Sequence, residues 1–200
     1  MEIQALESVP LSGPAEGAKK LAWLNPAVAI TVALLATFMG ICKVKDDNIV
    51  QAMQQAQADK LDHWQFYQAR NIREEIAKST LVQLRLQALT APANMQSAYE
   101  KQLQVYEALA REQSQKKDEL KTQAEKDQAT YDALNFRDDQ FDLSDALIAI
   151  AISLLAVASL TQLPWLYILA LLPSGFGVVM GTAGLAGWGI HPDTLIKLLS

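Results

Sequence analysis

The chain has 200 residues, of which 50% are hydrophobic and 20% charged, and its formal net charge is −5. These averages hide a segregation, because residues 21–42 and 146–192 contain no Asp, Glu, Lys or Arg. The distribution excludes an ordinary globular enzyme with a mixed surface, and also a nucleic-acid-binding protein, which needs a dense Lys and Arg face. It predicts an all-α membrane protein with three transmembrane helices and a long antiparallel, coiled-coil-like helical hairpin between the first and second.

The predicted segments follow one another in a simple order. Apolar runs long enough to cross a membrane alternate with a flexible tail, a charged helical stretch and a short terminal helix. They are a tail at 1–20, transmembrane helix 1 at 21–44, a soluble hairpin at 45–141 with arms at about 45–89 and 95–141, transmembrane helix 2 at 142–162, transmembrane helix 3 at 163–188 and an amphipathic helix at 189–200.

The first span opens with Asn25 as the expected N-cap and Pro26 as the first helical residue. The 19 residues from Pro26 to Val44 would extend about 28 Å, close to the thickness of the hydrocarbon core. Ala33 and Gly40 belong to a pattern of small residues that lets membrane helices approach closely. We therefore expect them at a helix-packing or subunit interface.

Spans two and three are joined by a short uncharged turn, so we expect them to be antiparallel neighbours. Ser144 is the expected N-cap of the second span. Pro173 predicts a kink or an unwound turn in the third span. Gly177, Gly181 and Gly184 give that span a face of small residues, which again predicts a helix-packing or subunit interface.

The hairpin is predicted from composition, because residues 45–141 contain one Pro, no Gly and many helix formers. Its two arms are nearly equal in length, and each carries a thin apolar stripe that is expected to form the seam between them. A seam so thin predicts that the hairpin packs against copies of itself. The stripe comprises Val50, Met53, Leu61, Trp64, Ile72, Ile76, Val82, Leu86 and Leu89 in arm one, and Met95, Tyr99, Leu103, Tyr106, Leu120, Ala124, Tyr131 and Leu134 in arm two.

The segment HWQFYQARNIR, at residues 63–73, resembles the opening motif of an uncharacterised bacterial membrane-protein family, domain of unknown function 4337. The resemblance extends over about residues 20–190, and Arg70 and Arg73 stand where the family often has lysine. It implies a bacterial inner-membrane protein. It implies no activity, ligand or catalytic residue.

The same segment contains a candidate interaction patch. Trp64, Tyr67 and Gln68 share a helix face, and Arg70 and Arg73 beside them are suited to a partner carboxylate or phosphate. In the alternative interpretation, which we favour, Trp64 and Tyr67 are seam residues and Arg70 pairs on the surface with the glutamate four residues later.

Charges near the membrane predict the orientation. The hairpin side carries five Lys or Arg residues near the spans and the tail side two, namely Lys19 and Lys20. The positive-inside rule therefore predicts that the hairpin and the C-terminus are cytoplasmic.

No catalytic constellation, metal site or nucleotide-binding motif is found, so neither an enzyme nor a cofactor is expected. The spans lack the acids and bases that mark proton relays and ion paths. Two hypotheses remain. The first is a non-enzymatic homo-oligomeric inner-membrane scaffold, embedded in the lipid bilayer, whose hairpin assembles or recruits an unidentified protein partner. The second is an oligomeric channel lined by spans two and three, with Thr161, Gln162 and Pro164 at its mouth.

Overall fold

A computed structural model of the protein describes residues 23–190. Over this range the chain forms three helices and no strand, which confirms the all-α part of the predicted fold class. The predicted tail at 1–20 and nearly all of the predicted terminal helix, residues 191–200, lie outside the described residues. The helices are α1 (Leu24–Leu89), α2 (Gln96–Thr161) and α3 (Pro164–Ala186).

The described residues form two compact units. The apolar unit comprises residues 23–46 and 138–190, and the arm unit comprises Asp47–Arg137. Both α1 and α2 contribute to each unit, and neither helix is interrupted where the sequence changes from apolar to charged. The backbone continues because no Gly or Pro stands at these positions to break it.

Two residues expected to cap helices lie inside them, so those two expectations are wrong. Asn25 is the second residue of α1, and its carboxamide oxygen accepts hydrogen bonds from Ser159 and Gln162. Ser144 lies well inside α2, where its hydroxyl donates to the carbonyl oxygen of Gly177 at 2.8 Å. Both polar side chains bond to residues distant in sequence within the apolar unit, and neither caps the N-terminus of a helix.

The core of the apolar unit draws on all three helices. Tyr167 of α3 stacks edge-on against Trp23 with ring centroids 5.9 Å apart, and its hydroxyl lies 3.1 Å from that of Thr31. These contacts hold α3 beside the start of α1. The buried core cluster comprises Leu24, Val28, Leu35, Ile148, Ala151, Leu155 and Ala170.

Helix α3 continues through Pro173, and the expected unwound turn does not form. The hydroxyl of Ser174 donates to the carbonyl oxygen of Ala170 at 2.7 Å, which adds a bond beside the missing proline N–H. The helix ends at Gly187, whose φ of 71° lies in the left-handed region that glycine adopts without strain.

All three helices contain a stretch long and apolar enough to cross a membrane. The outer surface of the apolar unit is itself apolar: Leu34, Leu172 and Phe176 expose 67%, 61% and 66% of their surfaces. A water-soluble unit would instead place charged and polar residues in such positions.

Candidate functional site

The glycine face of α3 packs directly against neighbouring side chains of the apolar unit. A Cβ added at Gly177 would lie 2.8 Å from Ile148, and one at Gly184 would lie 2.8 Å from the Phe141 ring. At Gly181 it would meet both the Phe38 ring and the Ser144 hydroxyl at 2.7 Å. These three glycines therefore let α3 approach its neighbours within the chain, as small residues do in membrane helices.

Ala33 and Gly40 are not part of this packing. Both are exposed on α1, and a Cβ added at Gly40 would meet nothing within 4 Å. Of the five small residues predicted at an interface, the structure thus brings three together inside the chain and leaves two on the outer surface of the apolar unit.

The residues proposed for a pore mouth lie at the turn between α2 and α3. Gln162 has a positive φ of 57°, and its side-chain amide donates to Asn25 at 2.7 Å. The Thr161 hydroxyl donates to the carbonyl oxygen of Val157 at 2.7 Å, and Pro164 begins α3. The polar groups of this turn are thus bonded within the chain, and they join it to the start of α1.

Acidic side chains from α1 and α2 gather around Lys43. Its Nζ lies 2.7 Å from Oδ2 of Asp46, a side chain that is 4% exposed. The pKa of Asp138 is raised to about 7, first by burial, then by a hydrogen bond with Asp46, and then by the charge on Asp142. Among residues 23–190, no group of three or more His, Cys, Asp or Glu side chains is arranged to hold a metal ion.

Polar contacts join the two helices of the arm unit along its length. From Lys60 to Arg85 along α1, the partner positions on α2 fall from 128 to 107 with one local reversal, at Arg70 and Glu74, so the contacts are in antiparallel order. The pairs are Lys60 Nζ with Gln128 Oε1 at 2.6 Å, His63 Nδ1 with Asp127 Oδ2 at 2.6 Å, Arg70 Nη1 with Gln113 Oε1 at 3.0 Å, Glu74 Oε2 with Lys117 Nζ at 2.6 Å, and Arg85 Nη2 with Glu107 Oε1 at 2.7 Å.

Glu74 is the most buried charge in these contacts, with a side chain that is 5% exposed. Lys117 of α2 binds one carboxylate oxygen at 2.6 Å, and Lys78 of α1 binds the other at 2.8 Å. Their hydrogen bonds hold the pKa of Glu74 below its ordinary range. The same contacts raise the pKa of both lysines.

The predicted interaction patch is divided by the structure. Trp64 and Tyr67 are half-buried and pack edge-on with centroids 5.2 Å apart. Gln68 and Arg73 are exposed, whereas Arg70 bonds to α2 through Gln113. The alternative pairing of Arg70 with the glutamate at position 74 is wrong, because that glutamate binds two lysines instead.

The apolar stripe predicted as the seam of arm one does not face α2 over most of its length. The buried side chains there are Glu74, Ala77 and Leu81, which lie about 140° around the helix from the middle of the stripe at about 100° per residue. Only Val50, Met53 and Trp64 of the predicted stripe are buried or half-buried. We call the remaining six the outer stripe: Leu61, Ile72, Ile76, Val82, Leu86 and Leu89, which are 52% to 82% exposed.

The stripe of arm two behaves as expected except at Met95, which is 48% exposed and precedes α2. Ala124 is fully buried, and Leu103, Tyr106, Leu120, Tyr131 and Leu134 are half-buried. The seam therefore combines the apolar face of α2 with a face of α1 on which Ala77, Leu81 and the ion-paired Glu74 are buried. The prediction for α1 failed because the most apolar face of this helix is not the face that packs against α2.

The family described as "Domain of unknown function (DUF4337)" matches residues 24–187. The chain belongs to this family. The matched region of this family member includes the whole arm unit and the three glycines of α3. Comparisons with curated proteins and with solved structures found no match.

Sequence reasoning missed the acidic residues around Lys43 in this member of the family. Asp138, Asp142 and Asp145 are spaced i, i+4 and i+7, a spacing that places all three on one face of a helix. This spacing could have been read from the sequence. The approach of Asp46 from α1 could not, because it depends on how the two helices pack.

Proposed function

We propose that the chain is a non-enzymatic, homo-oligomeric scaffold of a bacterial inner membrane. In this proposal the predicted spans at 21–44, 142–162 and 163–188 are the membrane anchor, and residues 45–141 form a cytoplasmic helical hairpin that assembles with copies of itself or recruits a protein partner. The observation that carries the proposal is the outer stripe, since a row of large apolar side chains on a charged arm is an unfilled binding surface.

Membrane anchoring is supported by the surface of the apolar unit. Its exposed side chains are apolar on all three helices, as at Ile30, Ile150 and Ile168, and its three helices meet the length and hydropathy that crossing requires. Trp23, Trp165 and Trp188 are about half exposed near helix ends, where membrane proteins place tryptophan at the lipid–water interface.

The hairpin is supported by the antiparallel order of the contacts between α1 and α2. A cytoplasmic location follows from the excess of Lys and Arg near the spans on that side.

The proposal is tested with the full-length chain in bacterial membranes. We expect the protein to stay in the pellet after alkaline carbonate extraction. Single cysteines introduced by Gln54→Cys and Thr161→Cys, in a Cys42→Ala background, should react with an impermeant maleimide from opposite sides. Release from the membrane, or labelling of both from one side, would contradict the anchor and its topology.

Assembly is tested by native mass spectrometry of the purified protein in detergent. We expect a defined number of copies larger than one. A monomer at all protein concentrations would contradict the homo-oligomeric part of the proposal.

A further inference from the structure

The outer stripe has a geometry that selects among partners. It begins at Leu61 and ends at Leu89, and the 28 intervals between them span about 42 Å of helix. The positions 61, 68, 75, 82 and 89 follow one another at steps of seven residues, and so do 65, 72, 79 and 86. A seven-residue repeat lets two helices follow each other in a left-handed supercoil. A second helix with the same spacing can therefore follow the stripe along its full length.

The stripe is also almost free of charge. The polar residues that interrupt it are Gln65, Gln68, Ser79 and Gln83, which are exposed and uncharged. One charged residue, Glu75, lies within the stripe, and Lys78 of the same helix binds its carboxylate at 3.1 Å, so each copy would bring a neutral ion pair to the contact. When a surface pairs with the same surface of a second copy, each residue lies next to the same residue of that copy. Two carboxylates, or two ammonium groups, would repel each other there. Amides and hydroxyls both donate and accept, so they can bond to their own kind.

The area of the stripe fits a helix–helix contact between two copies. An exposed Leu, Ile or Val side chain offers on the order of 80 Å² of apolar surface, so the six give about 500 Å² per copy. Two facing stripes would thus bury about 1,000 Å², and the interrupting amides would bring the total to the lower end of specific interfaces, about 1,200 Å².

We propose that the outer stripe binds the outer stripe of a second copy of this chain, in parallel orientation and with identical residues facing each other. The orientation rests on the proposed function, because copies inserted the same way into one membrane project their arms to the same side. A symmetry axis along the membrane normal then brings each residue opposite its equivalent.

The test is disulfide crosslinking of the full-length chain in membranes, in the Cys42→Ala background. We expect Gln65→Cys alone, and Gln83→Cys alone, to form covalent dimers under mild oxidation. Phe66→Cys is the matched control, since Phe66 is exposed on the same helix but about 100° away from both Gln65 and Gln83. It should form no dimer above background.

A second variant tests whether the apolar side chains hold the contact. Ile72→Asp combined with Ile76→Asp changes only exposed positions, so the helices should form as before. The crosslinked fraction at Gln65→Cys should fall about tenfold or more, because carboxylates would face each other across the contact.

The outcomes separate this inference from the proposed function. Dimers formed only when Gln65→Cys and Gln83→Cys chains are mixed would overturn the parallel register, since they require antiparallel stripes. A membrane-embedded oligomer without crosslinks at either position would overturn the inference and leave the scaffold standing. A membrane-embedded monomer would overturn the inference and the homo-oligomeric part of the scaffold together.

Discussion

The buried Glu74 should contribute more to the stability of the arm unit than any exposed charge. We consider Glu74→Gln, which keeps the size of the side chain and removes its charge. The change leaves Lys117, whose side chain is 17% exposed, without its carboxylate partner at 2.6 Å. Removing one partner of a fully buried ion pair costs about 3–5 kcal/mol. Because Lys117 keeps some contact with water, we expect a smaller cost of about 2 kcal/mol.

The measurement is hydrogen exchange of the backbone amides in the arm unit, with the full-length protein in detergent. A cost of about 2 kcal/mol corresponds to exchange about 30-fold faster, if the arms open as one cooperative unit. Glu112→Gln is the matched control, because Glu112 binds Lys116 with both side chains about half exposed. The control should change exchange by no more than about twofold.

A double-mutant cycle then isolates the ion pair. Lys117→Met should also accelerate exchange, and the combination with Glu74→Gln should cost less than the two changes added together. Equal exchange in the Glu74→Gln and Glu112→Gln proteins would refute the reasoning, and so would strict additivity in the cycle.

Two further predictions concern the apolar unit. Gly181→Leu should lower the Tm in detergent, with a cost of about 1–3 kcal/mol from overpacking, because its Cβ alone would lie 2.7 Å from the Phe38 ring. Gly40→Leu, at a position where an added Cβ meets nothing within 4 Å, should leave the Tm unchanged. An equal fall in Tm for the two variants would contradict the packing at Gly181. In the folded protein the pKa of Asp138 is about 7, against an ordinary value of 3.8. Between about pH 4 and pH 7 the folded protein therefore keeps this carboxyl protonated, whereas the unfolded chain does not. The contribution of Asp138 to stability is therefore greatest below about pH 4 and falls as the pH rises through about 7. Asp138→Asn should make the Tm depend less on pH between pH 5 and 8. An unchanged slope of Tm against pH would show that the folded protein holds no proton on this carboxyl.

The helical architecture could be predicted because it depends on local properties of the sequence. The charge-free runs, and the helix formers between them, predict three long helices. The break between α1 and α2 falls where Pro92 interrupts those formers. The close contacts of Gly177, Gly181 and Gly184 were predictable for a similar reason, since their spacing puts them on one face.

The faces that meet could not be predicted in the same way. The most apolar face of α1 in the arms was expected to meet α2, yet Glu74 and Ala77 are buried there instead. Which face of α1 is buried depends on whether Lys117 and Gln113 of α2 can bond to Glu74 and Arg70 of α1. These distances are set only when the two helices have packed together. The expected caps at Asn25 and Ser144 failed similarly, because their bonding partners are distant in sequence.

The opposite placement of the two faces of α1 has a consequence for biosynthesis. The outer stripe leaves the ribosome before α2 does, since Leu89 precedes Gln96 in the chain. Neighbouring nascent chains could pair through their stripes at that stage and still leave Glu74 and Leu81 open for the arm that follows. In the proposed assembly, association between chains and folding within a chain would therefore not compete for the same surface. Either could come first, and no exchange of arms between copies would be needed.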